Sequence, residues 1–186
     1  RFDMENRDFT NFTAQNGASS LSNGVVTAIV RDPRGGLWVG TLDGLNRLDP
    51  ETGKIERVGH VDDASDSPRK LPDQTVRSLH IGPEGRVWIG TYGGLSVMDP
   101  DDESLRTVVD SNRLEEPAVM DIIHAGRSSL WLGVWGTGIV RYDIDRDPLS
   151  PYPLSDTRVY TLASKSGRFI FAGTWGGGLY RLDSAI

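Results

Sequence analysis

The side chains in this sequence best suited to chemistry are aromatic rings set in short glycine-rich stretches. Trp135 stands in "VWGTGI", Trp175 in "TWGGGL", and Tyr92 takes the matching place in "TYGGL". Exposed flat rings can stack on a sugar or an aromatic ligand, and the plainer use of the same rings is packing against a neighbouring element. Arg77 and Tyr160 could add a cation and a phenol, and Asp121 a carboxylate, from strand-like apolar runs. Together these six are the candidate ligand-binding residues.

Covalent and metal chemistry have less to work with. The chain has no cysteine, so it has no thiol nucleophile and no cysteine-ligated zinc. No G-x-S-x-G elbow occurs, and the carboxylates fall in turns without a convergent pair. His60, His80 and His124 share no metal-ligand spacing. "DIDRD" at 143–147 imitates the opening of a calcium loop, but Pro148 replaces its glycine and Leu154 its last acid. The glycine runs are followed by neither Lys-Ser nor Lys-Thr and open no helix, which argues against a phosphate loop. No catalytic residue, metal ligand or cofactor is therefore assigned. An enzyme reading would rest on His80 or His124 as a base.

The elements that hold these residues are repeats. Val26, Val76, Val119 and Val159 are each followed twelve residues later by an aromatic: Trp38, Trp88, Trp131 and Phe171. Two residues on stands Gly40, Gly90, Gly133 or Gly173, then a Gly-aliphatic pair, then Asp49, Asp99, Asp143 or Asp183. The anchor aromatics lie 50, 43 and 40 residues apart, the size of a four-stranded propeller blade. Runs of about five residues between turn signals, with no 3.6-residue apolar period, describe a β-meander. The fold class expected is all-β, with about four blades and essentially no helix.

Composition agrees. Of 186 residues, 37% are hydrophobic and 25% charged, with 22 glycines and 10 prolines, as suits a turn-rich globular chain. A net charge of −6 argues against a nucleic-acid partner, which needs clustered Lys and Arg.

Each copy reads as strand a ("VVTAIV"), strand b ("LWVGT"), strand c ("GLNRLD") and strand d ("IERV"). In a propeller the b to c turns and the d to a loops emerge together around the mouth of the channel. Leu42, Tyr92, Trp135 and Trp175 should then form an arc on that rim. The turns carrying the two tryptophans are one residue longer than the others. Within strand a, one column changes chemistry from copy to copy: Thr27, Arg77, Met120, Tyr160. A position that packs blades would repeat its size and polarity, so this column reads either as a ligand surface or as solvated channel lining. Asp121 belongs to the adjacent small polar column.

Blades are expected at about 21–58, 71–109, 117–154 and 157–186, all in a single segment. "RFD" at Arg1–Asp3 matches "RLD" at Arg181–Asp183, and "DFTNFT" reads as a strand d. On that pattern the chain starts and ends inside a blade, and a strand d from 1–13 would complete the last one.

With "LWVGTLDGLNRLD", "VWIGTYGGLSVMD" and "FAGTWGGGLYRLD" aligned, the chain resembles the two-component regulator propeller repeats over nearly its whole length. Val134 in place of Thr, and Phe171 in place of Trp, depart from that pattern. The resemblance implies part of a larger propeller, commonly seven-bladed, in the periplasmic sensing region of a membrane-bound sensor kinase, hybrid two-component regulator or diguanylate cyclase. It implies a sensing segment without its own catalysis, attached to the membrane only through flanking segments. A small-molecule ligand, with an oligosaccharide as the example, is the partner expected, and cut blade faces would favour self-association. The alternatives are a protein-interaction scaffold and a propeller lyase resembling streptogramin lyase.

Overall fold

The computed structural model describes residues 2–3, 8–14, 19–58, 70–124, 126, 128–165 and 167–184. His60 lies outside them. The described residues form strands and turns and no helix, so none is long and apolar enough to cross a membrane.

Two short strands, β1 (Phe2–Asp3) and β2 (Asp8–Phe9), pair with each other. Blade 1 follows with β3 (Val26–Arg31), β4 (Leu37–Thr41), β5 (Gly44–Leu48) and β6 (Ile55–Val58). Blade 2 is β7 (Val76–Ile81), β8 (Val87–Thr91), β9 (Gly94–Met98) and β10 (Leu105–Val109). Blade 3 is β11 (Val119–His124), β12 (Ser129–Val134), β13 (Gly138–Asp143) and β14 (Leu149–Tyr152). The last sheet has three strands, β15 (Val159–Lys165), β16 (Phe169–Thr174) and β17 (Leu179–Asp183). Each sheet is an antiparallel meander in sequence order.

The repeated residues have repeated jobs. Asp49, Asp99 and Asp143 each turn a carboxylate oxygen back to accept backbone N–H bonds two or three residues on, which closes the c to d hairpin. The threonine hydroxyls of Thr41, Thr91 and Thr174 donate to the carbonyls of Gly44, Gly94 and Gly178, each at 3.1 Å, and so close the b to c turn. Val134 has no hydroxyl for this; in its longer turn the Thr137 amide donates to the Val134 carbonyl at 3.3 Å and the Thr137 hydroxyl to the Glu116 carbonyl at 3.4 Å.

Strand a is innermost, since β3 packs on β7, β7 on β11, and β11 on β15. The anchor aromatics fill the wedges between successive blades. Trp38 is buried in a cluster with Val76, Leu79 and Ile89 of blade 2, Trp88 with Val119, Ile122 and Tyr142 of blade 3, and Trp131 with Val159, Leu162 and Ile170 of the last sheet. The strand b glycines make room for this approach. A Cβ on Gly40 would stand 2.5 Å from a methyl of Val76, and one on Gly133 would stand 2.8 Å from a methyl of Val159.

The same packing distinguishes the inner blades from the first and last sheets described. Ile29 of blade 1 is 58% exposed, whereas its counterpart Leu79 is 9% exposed. At the far end Leu179 is 72% exposed, against 1% for Leu45 in the same column. β8 is buried along its full length while β16 alternates, because a blade between two neighbours is covered on both faces and an end blade on one. Of the segment read as a strand d, Asp8–Phe9 pair with Phe2–Asp3, and the last sheet has three strands among the described residues.

Candidate functional site

The variable column of strand a has a structural signature. In every sheet the a to b ladder shifts register between the anchor valine and the residue two places on: Val26/Ala28, Val76/Ser78, Val119/Asp121 and Val159/Thr161. Thr27, Arg77, Met120 and Tyr160 are thus the extra residues of four β-bulges. A bulged residue is left out of the ladder and its side chain is re-aimed, so it need not repeat for the sheet to form.

The b to c turns are fastened to the start of strand a. The amide N–H groups of Leu42, Trp135 and Trp175 donate to the carbonyls of Val25, Ala118 and Arg158, each the residue just before an anchor valine. In the longer turns Gly136 and Gly176 follow the tryptophan at φ +85° and +125°, backbone that a residue with a Cβ rarely adopts. The turn chain can therefore reverse immediately after the ring.

Bulges and turns together make a cleft. Arg77, Tyr92, Trp135, Tyr160 and Trp175 line a cavity of about 430 Å³ with Ala118 and Met120. Met120 is buried, while Trp175 is 61% exposed. The rings form a continuous wall: Tyr160 lies 5.6 Å from Trp175, and Trp175 lies 6.4 Å from Trp135, centroid to centroid and tilted. The Arg77 guanidinium sits 5.6 Å from the ring centres of both Tyr92 and Tyr160 and donates from Nη2 to the Tyr160 hydroxyl at 3.0 Å. This arrangement can stack a flat or ring-shaped ligand and offer it one cation. Five of the six candidates named from the sequence meet here. Blade 1 stays out of the cleft: Thr27 donates instead to the Val76 carbonyl at 2.6 Å, and Leu42 is absent from the lining.

The family pattern described as two component regulator propeller matches residues 20–43 and 70–93, the strand a to turn segments of blades 1 and 2. Those two segments match the repeat unit of that family. Among solved structures, one described as the extracellular domain of a hybrid two component system, BT3049 of B. thetaiotaomicron, is 17% identical with a TM-score of 0.78, covering 91% of this chain and 23% of that one. Another, described as the extracellular domain of a one component system, BT4673 of the same organism, is 23% identical with a TM-score of 0.75, covering 97% and 24%. Virginiamycin B lyase from Staphylococcus aureus is 13% identical with a TM-score of 0.65, covering 98% and 62%. These likenesses establish a propeller fold, and the chain spans about a quarter of the two B. thetaiotaomicron structures. Comparison with the curated proteins gives no match.

Asp121, the sixth candidate, is not among the residues lining the cleft. Its carboxylate accepts the Leu162 amide at 2.6 Å and the Thr161 hydroxyl at 3.1 Å, both on the next sheet. These bonds tie blade 3 to the last sheet.

Copies two and three also bring together a pair that spacing did not reveal. His124 Nδ1 lies 2.7 Å from His80 Nε2 with the rings stacked at 4.8 Å. The two occupy adjacent places on neighbouring inner strands, so the repeat alignment itself is the signal that could have paired them. Burial, with the nearby His80, pushes His124 down to about 4, and burial lowers His80 as well. The described residues contain no cluster of three His, Cys, Asp or Glu side chains that could hold a metal ion. Asp147, from the calcium-like "DIDRD", accepts hydrogen bonds from Arg113 and from the Tyr142 hydroxyl, each at 2.9 Å.

Proposed function

We propose that this chain is a ligand-sensing module of a membrane-bound signalling receptor, a two-component sensor or a diguanylate cyclase. On this reading it lies outside the cytoplasm, in the periplasm, and binds a small molecule, with an oligosaccharide as the fitting chemistry, in the cleft at its rim. The supporting observation is that non-repeating residues from three successive blades converge on one aromatic-walled cavity while the repeating residues pack the fold. Catalytic output belongs to another domain. A bound ligand touching blades 2, 3 and 4 at once would favour one angle between them over another, and that difference in affinity is what shifts a population of arrangements. The open faces at Ile29 and Leu179 are the surfaces through which copies of the chain would associate.

Thermal-shift screening against a panel of oligosaccharides tests the reading, repeated with Trp135→Ala and Trp175→Ala. A ligand that stabilises the unsubstituted chain and not the two variants supports it. Equal stabilisation of all three places the site elsewhere, and a panel without binders, alongside a protein partner captured through the rim, supports the scaffold alternative.

A further inference from the structure

Arg77 is the one charged residue among those lining the cleft. Guanidinium offers five N–H donors in a planar fork. Only one of them, from Nη2 to the Tyr160 hydroxyl, has an acceptor among the described residues. Nε is shielded from solvent and has no partner. The guanidinium carbon lies 5.6 Å from the centres of the Tyr92 and Tyr160 rings, whose faces attract the charge but accept no in-plane hydrogen bonds.

Other arginines in this chain show what usually completes such a stack. Arg47 over Trp38 pairs with Asp32 at 3.1 Å, Arg113 over Tyr142 with Asp147 at 2.9 Å, and Arg168 over Phe169 with Asp183 at 3.0 Å. Arg181, also over Phe169, pairs with no acid among the described residues but stands exposed to water. Arg77 alone is half-buried, stacked and without a carboxylate among the described residues. Asp156 is held by Arg158 at 2.9 Å, and no carboxylate is among the residues lining the cleft.

We infer that the missing carboxylate is the ligand's: the cleft takes a ring bearing a carboxylate, with the acid on the Arg77 fork and the ring against Tyr160, Trp175 and Trp135. This rests on the cleft being the ligand site and adds the chemical class of the ligand. A planar acid matches the fork bidentately, which a hydroxyl cannot do. The cavity of about 430 Å³ suits one or two rings. Two sources share this chemistry, a uronic-acid sugar and an aromatic carboxylate.

Titration followed by tryptophan emission separates the possibilities, with digalacturonate, its dimethyl ester and benzoate as probes on the unsubstituted chain and on Arg77→Met. Methionine keeps an apolar stem under the tyrosines and removes the fork. An acid binding about tenfold or more tightly than the ester, with that preference lost in Arg77→Met and weakened by added salt, supports the inference. Whether digalacturonate or benzoate is the acid that binds tells the sugar source from the aromatic one. Ester and acid binding equally would overturn the carboxylate while leaving the cleft as the site. If all three probes and the neutral oligosaccharides fail to bind, both the inference and the site beneath it fall.

Discussion

Arg77 donates from Nη2 to the hydroxyl of Tyr160 at 3.0 Å, across 83 residues of sequence. Both are bulge residues of inner strands, one in blade 2 and one in the last sheet, and Met120 is their counterpart in the blade between. The cleft is therefore a property of how three blades sit together. Tyr160→Phe keeps the ring beside Trp175 and removes the acceptor. Because Tyr160 is 42% exposed, unfolding free energy should change by less than about 1 kcal/mol. Affinity for a cleft ligand should fall several-fold as the fork loses its orientation, and calorimetric titration beside denaturant unfolding reads both quantities.

Tryptophans of one chain should answer to substitution in two ways. Trp131 is buried in the wedge below Val159 and Leu162, so Trp131→Ala should lose about 3–5 kcal/mol of stability. Trp175 stands on the rim at 61% exposure, and Trp175→Ala should stay within about 1 kcal/mol of the unsubstituted chain. Midpoints of urea unfolding, measured side by side, distinguish them.

The blades were legible because their determinants repeat. The tryptophan wedge, the glycine beneath the next valine, the threonine that closes the turn and the aspartate that closes the hairpin each recur at fixed spacing. The rim was legible by contrast, as the column and turn that refused to repeat, although the bulge that frees Arg77 and Tyr160 leaves no mark of its own in sequence. The hydrogen bond that Asp121 accepts from a backbone amide 41 residues away was not legible, because it runs across blades. The His80 and His124 contact was hidden for a similar reason: metal-ligand spacing looks along the chain, and their contact runs across blades.

The histidine pair sets a pH dependence. In the folded chain His124 titrates near 4, against an ordinary value of 6.5, because burial and His80 disfavour its charged form. Above 6.5 neither state holds the extra proton, and the full stability is present. As pH falls from 6.5 towards 4 the unfolded chain takes up protons that folded His124 refuses, so stability drops through that window, and this source of loss ends below it. His80, lowered in the same direction, adds to the effect. Urea midpoints across the window should fall for the unsubstituted chain and fall less for a His80→Asn, His124→Asn double variant. Equal slopes would assign the loss to other groups.

The two uncovered blade faces predict association. Val26 and Ile29 at one end and Leu179 at the other are exposed where their counterparts inside the row are buried. Sedimentation velocity on the chain should show species larger than a monomer, growing with concentration. Ile29→Glu with Leu179→Glu should return it to monomer without loss of the β-sheet circular dichroism. A monomer at all concentrations before substitution would mean that these faces do not pair copies of the chain.

The central claim, that the bulge and turn residues of three blades form a ligand site, is tested most directly by calorimetric titration of the strongest stabilising compound into the unsubstituted chain and Trp175→Ala. The account predicts one saturable site whose affinity falls about tenfold or more on substitution, with unfolding midpoints that match. An affinity unchanged by the loss of Trp175 would contradict it.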